Sequence, residues 1–384
     1  MKTQRMKKKL LTGVFAAISA AMLFVGCGKK EEEKPAEPNP PEIVVQDTEP
    51  DEETVPDEET AVEENTHEGE AKSFLTGEWI AEDLAMQRPI SCMIGNTESA
   101  LPQFGVGKAE VIYEAPVEGG LTRLMGIFQD YKNLEQLGSV RSSRLYYAYY
   151  SMEYDAIYLH YGQASYAQGF LESGQIDDLN GLDYAVDNAV IYRDRSKKAP
   201  HNAYATGKGL EAGVDLKKYD TQYAQDYEGV FQFAEEDAPV MLSGNTCQEA
   251  GVVQPGYQIN KPYFEYNSED GLYYRYQYGG RHIDGTDGNQ LTVKNILMLN
   301  TGVRTLDDNG YLEVVTTGEG SGWYVTNGKA IEITWKRADN FSPTHYYDSA
   351  GNEITLNQGK TWVCIIDNSH LDRVHFYADA AQMQ

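Results

Sequence analysis

The chain changes character twice along its length in the way its apolar residues are distributed. An apolar run from Leu10 to Gly26 is followed by a stretch from Glu31 to Ala71 that is rich in Glu, Asp, Pro and Thr and almost without aromatic residues. From Phe74 onward, short apolar runs alternate with polar residues at the spacings of strands and helices. The pattern therefore predicts a leader, a linker that cannot bury enough apolar surface to fold, and a folded region.

The first part of the folded region alternates strand-like and helix-like patterns. Strands are predicted at Ile90–Ile94, Glu110–Tyr113, Leu121–Phe128, Asp155–His160 and Ala189–Tyr192, and helices at Ser142–Tyr154 and Ser165–Glu172. In the first helix the serine pair is expected to cap the start, and Leu145, Tyr149 and Met152 are expected to form one face. Alternating elements of this kind predict an α/β domain over residues 74–240.

The second part is β-rich and aromatic. Turn signals such as Asp308-Asn309-Gly310, Thr326-Asn327-Gly328 and Ala350-Gly351-Asn352 separate its apolar runs. The predicted strands are Tyr263–Tyr266, Leu272–Tyr278, Val293–Leu299, Tyr311–Thr316, Gly322–Thr326, Ala330–Lys336 and Thr361–Ile366. Closely spaced hairpin signals predict a smaller β-rich domain over residues 255–375.

The N-terminus has the pattern of an export signal. Basic residues between Met1 and Lys9 precede the apolar run, which ends at Phe24-Val25-Gly26-Cys27-Gly28. This string resembles a bacterial lipobox, with Phe24 where Leu is usual, and the resemblance implies a signal peptide over residues 1–27 and lipidation of Cys27. Acyl chains such as palmitate would then anchor the protein on the extracytoplasmic face of the cell membrane. An uncleaved apolar anchor with an incidental cysteine is the alternative.

Charge excludes one class of partner and characterises the linker. The chain has 32 Lys and Arg against 59 Asp and Glu, a formal net charge of −27. Nucleic-acid binding is therefore not expected, because it depends on clustered Lys and Arg. Residues 28–71 contain three lysines and seventeen acidic residues. The segment 28–73 is accordingly predicted to be a disordered acidic linker that extends by self-repulsion.

Ordered strings in both halves of the folded region carry a family resemblance. They are Arg88-Pro89-Ile90-Ser91-Cys92-Met93-Ile94-Gly95-Asn96, Val111-Ile112-Tyr113-Glu114, Val117-Glu118-Gly119-Gly120-Leu121-Thr122-Arg123, Gly138-Ser139-Val140-Arg141-Ser142-Ser143-Arg144, Ala199-Pro200-His201-Asn202, Gly288-Asn289-Gln290-Leu291 and Asn357-Gln358-Gly359-Lys360-Thr361-Trp362. Over residues 85–370 the sequence resembles the YerB-like lipoproteins, a family defined by a domain of unknown function with an N-terminal and a C-terminal module. The resemblance implies an exported, lipid-anchored protein and supplies no chemistry. Gly95 stands where the family is expected to have Asp.

Polar residues gather at the predicted ends of strands in the first domain. Guanidinium groups beside a helix start are a usual arrangement for binding phosphate or carboxylate. We therefore expect a ligand site formed by Arg123, Arg141, Arg144, Arg193, His201 and Asn202. The candidate catalytic residues are Glu114, Glu118 and His160, and the candidate ligands for a Mg²⁺ ion are Glu114 and Asp155.

The same residues also have a structural interpretation, which the sequence leaves open. Glu114 or Glu118 can pair with Arg123 or Arg141 in partly buried salt bridges that fix the sheet. His160 can be a core histidine, and His201 can cap a loop. The sequence lacks the motifs of serine hydrolases, P-loop NTPases, zincins and EF-hands, which disfavours those classes.

A second, weaker resemblance concerns Val140-Arg141-Ser142-Ser143-Arg144 and the later string His160-Tyr161-Gly162. This arrangement is similar to part of the LytR–CpsA–Psr phosphotransferases. That resemblance implies arginines that hold a polyprenyl pyrophosphate together with Mg²⁺ while a glycopolymer is transferred to peptidoglycan.

These features together predict a lipoprotein of the cell envelope that binds an envelope ligand or a cell-wall synthesis protein. The alternative is an enzyme, a Mg²⁺-dependent phosphotransferase or phosphohydrolase that acts on lipid-linked wall precursors. A solute-binding lipoprotein fits the anchor, but the sequence does not show the two similar α/β lobes of that class.

Overall fold

The computed structural model describes residues 67–383, whose regular elements are mostly β-strands, with a few short helices. The predicted signal peptide, its Cys27 and most of the predicted linker lie outside the described residues. None of the described helices is long and apolar enough to cross a membrane. The helices are α1 (Glu82–Ala85), α2 (Leu145–Met152), α3 (Ser165–Leu171), α4 (Tyr184–Val190) and α5 (Gly207–Lys217).

The strands are short and follow one another closely along the described residues. They are β1 (Glu70–Lys72), β2 (Trp79–Ala81), β3 (Ile90–Gly95), β4 (Val111–Pro116), β5 (Thr122–Phe128), β6 (Leu137–Gly138), β7 (Ile157–His160), β8 (Asp178–Asn180), β9 (Ile191–Arg193), β10 (Ala203–Ala205), β11 (Gln232–Phe233), β12 (Gln248–Glu249), β13 (Val252–Gln254), β14 (Tyr263–Asn267), β15 (Leu272–Gln277), β16 (Gly280–Arg281), β17 (Thr292–Val293), β18 (Asn295–Thr301), β19 (Val303–Thr305), β20 (Leu312–Val314), β21 (Gly318–Thr326), β22 (Lys329–Arg337), β23 (His345–Tyr347), β24 (Thr355–Leu356), β25 (Thr361–Asp367) and β26 (His375–Tyr377).

An eleven-stranded sheet forms the centre of the fold. Its order is β12-β22-β21-β18-β25-β4-β5-β3-β7-β8, with β23 added beside β22. The strands β3, β4, β7, β8, β18 and β25 all run in one direction, since β25 is parallel to β18 and β4, and β7 is parallel to β3 and β8. Their carboxyl ends therefore lie along the same edge of the sheet, which we call the carboxyl edge.

The central sheet joins the two segments that the sequence assigns to separate domains. The last long strand, β25, lies between β18 and β4, and its Cys364 is opposite Glu114. The division at residues 240–255 stays a prediction, and strands from both sides of it are hydrogen-bonded to one another. A second, six-stranded sheet contains β13 to β17 and β26.

Two buried clusters cover the two faces of the central sheet. In β3, Cys92 and Ile94 belong to one cluster and Met93 to the other, because successive strand residues point to opposite faces. Helices α4 and α5 and the six-stranded sheet contribute to the first cluster, and α2 and α3 to the second. Each fully buried aliphatic side chain stabilises such a layered core by roughly 1.5–3 kcal/mol.

Helix α2 differs from its prediction in its start and in its buried face. Its N-cap residue is Arg144, and no side chain caps it. The buried face is formed by Tyr146, Tyr147 and Tyr150, whereas the predicted face of Leu145, Tyr149 and Met152 is only partly buried. The tyrosines turn inward because their rings and hydroxyls find partners there, including a 4.9 Å stack of Tyr150 on Tyr113 and a 2.6 Å hydrogen bond from Tyr146 Oη to the Pro116 carbonyl.

Helices α4 and α5 are absent from the sequence prediction. Asp183 and Thr206 cap them by accepting hydrogen bonds from the backbone N–H groups of Ala185 and Gly209. Helix α4 takes up part of the strand predicted at Ala189–Tyr192, so that β9 begins later, at Ile191.

The hairpin between β21 and β22 matches its turn signal. Asn327 and Gly328 have φ angles of +49° and +74°. Positive φ at both central residues is what a two-residue hairpin turn of the twisted sheet requires, and Asn-Gly adopts it most readily. The predicted turn is confirmed.

Candidate functional site

The segment from Ser139 to Arg144 lies across the carboxyl edge, where β3 and β7 end. The Gly95 N–H donates to the Ser139 carbonyl at 3.0 Å, and the Arg141 N–H donates to the Met93 carbonyl at 2.9 Å. The Tyr161 N–H in turn donates to the Arg141 carbonyl at 2.9 Å. In sheets with parallel strands, ligands bind at the carboxyl ends of those strands. The segment is therefore placed where a ligand site is expected.

Three of the predicted ligand-site arginines lie together on this segment and on the start of β5. We call Arg123, Arg141 and Arg144 the arginine cluster. Arg123 Nη1 donates to the Ser142 carbonyl at 2.5 Å, and Arg144 Nη1 lies 3.5 Å from the same oxygen. Arg141 Nη1 donates to the Pro200 carbonyl at 2.6 Å. These contacts with backbone carbonyls fix the guanidinium groups without neutralising their charge.

The charges of the arginine cluster act on one another. Burial, and then the charges of Arg144 and Arg141, lower the pKa of Arg123 to about 10. Burial and the charge of Arg144 also lower the pKa of Arg141. A like-charge group is expected to lower the pKa of a cation, because proximity disfavours the charged form. Burial acts to lower the pKa of Arg144 as well, but the hydrogen bonds and charge of Glu118 raise it overall. The charge of Arg144 therefore disfavours the charged forms of Arg123 and Arg141, after burial, while Arg144 itself is stabilised by Glu118.

Glu118 neutralises one charge of the cluster. Its carboxylate accepts hydrogen bonds from Arg144 Nε and Nη2 at 2.6 and 2.5 Å, which is a bidentate pair. Burial acts to raise the pKa of Glu118, but the hydrogen bonds and charge of Arg144 lower it overall. Glu118 therefore forms the partly buried salt bridge of the structural interpretation, but its partner is Arg144 and not Arg123 or Arg141. Of the contacts in the described part of the chain, this is the one ion pair made by the cluster.

Arg193, His201 and Asn202 lie beside the cluster. Arg193 Nη1 donates to Asn202 Oδ1 at 3.0 Å, and its guanidinium lies 4.4 Å from the centre of the Tyr161 ring. His201 Nε2 is 3.1 Å from Ser99 Oγ. Burial, and then the charges of Arg141 and Lys197, lower the pKa of His201. The structure thus brings these predicted residues to the rim of the arginine cluster.

Glu114 lies away from the cluster, in a buried network. Its side chain is fully buried and pairs with Arg275 across 2.6 Å, from Nη2 to Oε2. The other carboxylate oxygen accepts from Asn96, Thr122 and Asn260 at 3.2, 2.8 and 2.8 Å. Glu114 therefore forms a structural salt bridge, but its partner is Arg275 and not Arg123 or Arg141, because the packing of the two sheets places Arg275 against it.

The network continues from Arg275 into the six-stranded sheet. Arg275 Nη1 donates to His282 Nδ1 at 2.7 Å, and His282 Nε2 lies 2.7 Å from Gln103 Oε1. The guanidinium also lies 4.3 Å from the centre of the Trp362 ring. Burial and the charge of Arg275 lower the pKa of His282 well below 6.5. The ring is therefore neutral, and it connects the two segments of the chain through polar contacts.

The two candidate Mg²⁺ ligands do not meet. Asp155 Oδ1 lies 3.4 Å from an Nη atom of Arg88 at the start of β3. Glu114 is level with the end of β3, because Leu124 pairs with both Glu114 and Ile94. The separation is about six residues, or roughly 20 Å of strand. Within residues 67–383, no three His, Cys, Asp or Glu side chains are placed so that they could bind one metal ion. The residues proposed to hold Mg²⁺ therefore do not fit that ion.

His160 is buried at the end of β7 and supports the loop that follows. Its Nδ1 is 2.8 Å from the Gly162 carbonyl and its Nε2 is 2.9 Å from Asp178 Oδ2. The same carbonyl accepts a hydrogen bond from the Ser143 N–H at 2.8 Å. His160 therefore positions the segment that carries the arginine cluster.

Comparisons with known proteins match both halves of the folded region. Residues 75–221 match the family described as protein of unknown function (DUF3048), N-terminal domain, and residues 253–363 match its C-terminal domain. The predicted lipoprotein YerB of Bacillus subtilis (strain 168) is 28% identical over 296 residues, which are 77% of this chain and 86% of that protein. The crystal structure of the YerB protein from Bacillus subtilis superimposes with a TM-score of 0.69 at 27% identity, covering 80% of this chain and 99% of that one.

Proposed function

This chain belongs to the DUF3048 family of YerB-like proteins, and from that premise we propose that it is a lipid-anchored protein of the extracytoplasmic membrane face that binds an anionic ligand of the envelope. The similar protein of Bacillus subtilis is a predicted lipoprotein, and the lipobox-like string around Cys27 supports the same anchor here. The binding site is the arginine cluster, with Arg193 and His201 at its rim.

The observation that carries the proposal is the uncompensated charge of the cluster. Among the described residues, Arg144 is the one member of the cluster that pairs with a carboxylate, although the chain as a whole carries a net charge of −27. Holding like charges together destabilises the folded protein, and perturbed groups of this kind concentrate at functional sites. A bound anion would relieve the repulsion. Phosphate and carboxylate are the matching classes, because both accept paired hydrogen bonds from a guanidinium fork.

The position of the cluster supports binding in a second way. It lies at the carboxyl edge, beside the start of α2, whose first backbone N–H groups lie next to Arg144. A helix start carries a partial positive charge that favours an anion.

The same contacts favour binding over phosphoryl transfer. Transfer needs a carboxylate or a metal ion beside the anion. Glu118 is held by Arg144, and Glu114 is buried against Arg275. The alternative of a phosphotransferase therefore has less support from the described side chains than a binding protein.

The test is titration of the full-length protein, held in phosphatidylcholine vesicles, with inorganic pyrophosphate. Arg141→Ala is expected to weaken binding by roughly ten- to a hundredfold, the loss for a charged hydrogen bond of about 1.5–3 kcal/mol. Arg141→Lys should restore part of it, because a point charge cannot reproduce the fork. Arg281→Ala, at an exposed arginine of the six-stranded sheet, is the matched control.

Two results would contradict the proposal. One is the absence of binding by the wild-type protein, and the other is equal binding by wild type and Arg141→Ala. The anchor is checked separately, since Cys27→Ser is expected to abolish labelling of the protein with radioactive palmitate.

A further inference from the structure

A groove opens beside the arginine cluster, between α2 and α3 on one side and the β19–β20 hairpin on the other. Its volume is about 430 Å³, which lies in the range of small-molecule sites. Arg144 is one of the residues that line the groove. The walls include the side chains of Leu145, Tyr149, Tyr166, Tyr311, Leu312 and Val314.

The walls are aromatic and aliphatic, and part of them is open to solvent. Tyr166 and Val315 are 45% and 44% exposed. The rings of Tyr166 and Tyr311 meet edge to face at 5.8 Å, and Tyr166 Oη donates to Asp307 Oδ2 at 3.3 Å, which ties the two walls together. Glu313, which borders the groove, is paired with Arg304. The groove is thus left mainly apolar, and Arg144, paired with Glu118, is the member of the arginine cluster that lines it.

Arg144 belongs to both features. Its guanidinium, which belongs to the arginine cluster, pairs with Glu118. The same group lies 5.5 Å from the centre of the Tyr311 ring. The positive site and the apolar groove are therefore continuous. A ligand whose acidic group binds beside Arg144 can therefore place further atoms in the groove.

We propose that the ligand is an amphipathic anion, a phosphate or carboxylate joined to a hydrocarbon portion, and that the groove binds the hydrocarbon. This inference rests on the proposed function, because it assigns the second half of the same ligand. Exposed aromatic surface is removed from water when the hydrocarbon enters. Each methylene that is buried raises the affinity about fourfold, which corresponds to about 0.8 kcal/mol.

The experiment compares ethyl, butyl and hexyl phosphate on the full-length protein in phosphatidylcholine vesicles, with protein-free vesicles to correct for partitioning. Affinity is expected to rise at least tenfold from ethyl to hexyl phosphate. Tyr166→Ala removes part of a wall, and Val315→Trp fills the groove. Each should abolish most of the rise in affinity from ethyl to hexyl phosphate. Tyr184→Ala is the control, since Tyr184 is 83% exposed on α4.

The outcomes separate the two proposals. Binding of ethyl phosphate with no gain from a longer chain overturns the groove and leaves the anion site in place. Equal binding of hexanol and hexyl phosphate overturns the link between the groove and the cluster. If no alkyl phosphate binds, the proposed function fails and this inference fails with it. A second experiment uses vesicles that contain phosphatidic acid. Transfer of this lipid to the protein identifies a membrane lipid as the source of the anion. Binding of the free alkyl phosphates alone identifies a free amphiphile as the ligand.

Discussion

Glu114 and Arg275 form a charge pair that water does not reach, since their side chains are 0% and 1% exposed. Removing both charges from water is costly, and the pair is favourable only because additional hydrogen bonds satisfy it. Asn96, Thr122 and Asn260 supply those bonds to the carboxylate. The pair therefore holds the two sheets in one arrangement. Removing one member leaves the other charge buried without a partner, which destabilises the folded protein.

We predict that Arg275→Ala lowers the free energy of unfolding by about 3–5 kcal/mol, because it leaves the Glu114 carboxylate buried without a partner. The double variant Glu114→Gln with Arg275→Met should recover a large part of this loss. Denaturation with urea measures both values. Arg281→Ala is the surface control, and an equal effect of Arg275→Ala and Arg281→Ala would show that the buried pair does not stabilise the fold.

His282 makes the same network sensitive to acid. Its pKa is depressed by burial and by Arg275, whereas a histidine of the unfolded chain titrates near pH 6.5. Below pH 6.5 the unfolded chain binds this proton and the folded chain does not. The contribution to stability is therefore full above pH 6.5 and is lost as the pH falls towards the folded-state pKa.

We predict that replacing His282 weakens this dependence of stability on pH. His282→Gln keeps an acceptor for Arg275 and a donor for Gln103 but cannot titrate. Between pH 6.5 and pH 5.5, its free energy of unfolding should fall less steeply than that of the wild type, by up to about 1.4 kcal/mol per pH unit. Urea denaturation at several pH values measures both slopes. Parallel curves would mean that His282 is protonated alike in the folded and unfolded states.

At the scale of elements, α5 depends on residues that usually weaken helices. A Cβ atom on its Gly213 would lie 2.4 Å from Val190 Cγ2 and 3.2 Å from Leu179, so the glycine lets α5 approach α4 closely. Gly207 similarly faces the Lys132 carbonyl at a distance of 2.0 Å from the added atom. Contacts with α4 and its surroundings therefore compensate for a low helix propensity.

We predict that Gly213→Ala lowers the free energy of unfolding by about 1–3 kcal/mol, the usual cost of overpacking a core. Gly169→Ala in α3 is the matched control, because nothing lies within 4 Å of an added Cβ there. It should raise the stability by about 0.5–1 kcal/mol through helix propensity. Thermal or urea denaturation of the two variants distinguishes the effects. A higher free energy of unfolding for both variants would contradict the close packing of α5 against α4.

These elements also show what a sequence pattern can predict. The strands around Ile94 and Ile365 are evident from local apolar runs, and Arg141 and Arg144 are found together because they are three residues apart. Helix α5 is not evident, since three of its residues are glycines. The partner of Glu114 is 161 residues away and is set by sheet register, which no local pattern contains.

At the scale of the molecule, the exposed stretch from Glu235 to Pro239 links two segments that share one sheet. A Glu-specific protease is expected to cut there, but β25 pairs with both β18 and β4. We predict that the two fragments separate on a denaturing gel and elute together from a sizing column. Separation without denaturant would show that the two segments are independent domains.

The position of β25 also fixes the order in which the central sheet can form. Residues 361–367 complete the middle of the central sheet, so β4 and β18 acquire this shared neighbour only after the chain has been made as far as β25. Until then both strands present unpaired backbone groups, as edge strands prone to wrong pairing. Contacts between residues so distant in sequence also make folding slow. A chain made only as far as β24 therefore still lacks the strand that pairs with both β4 and β18.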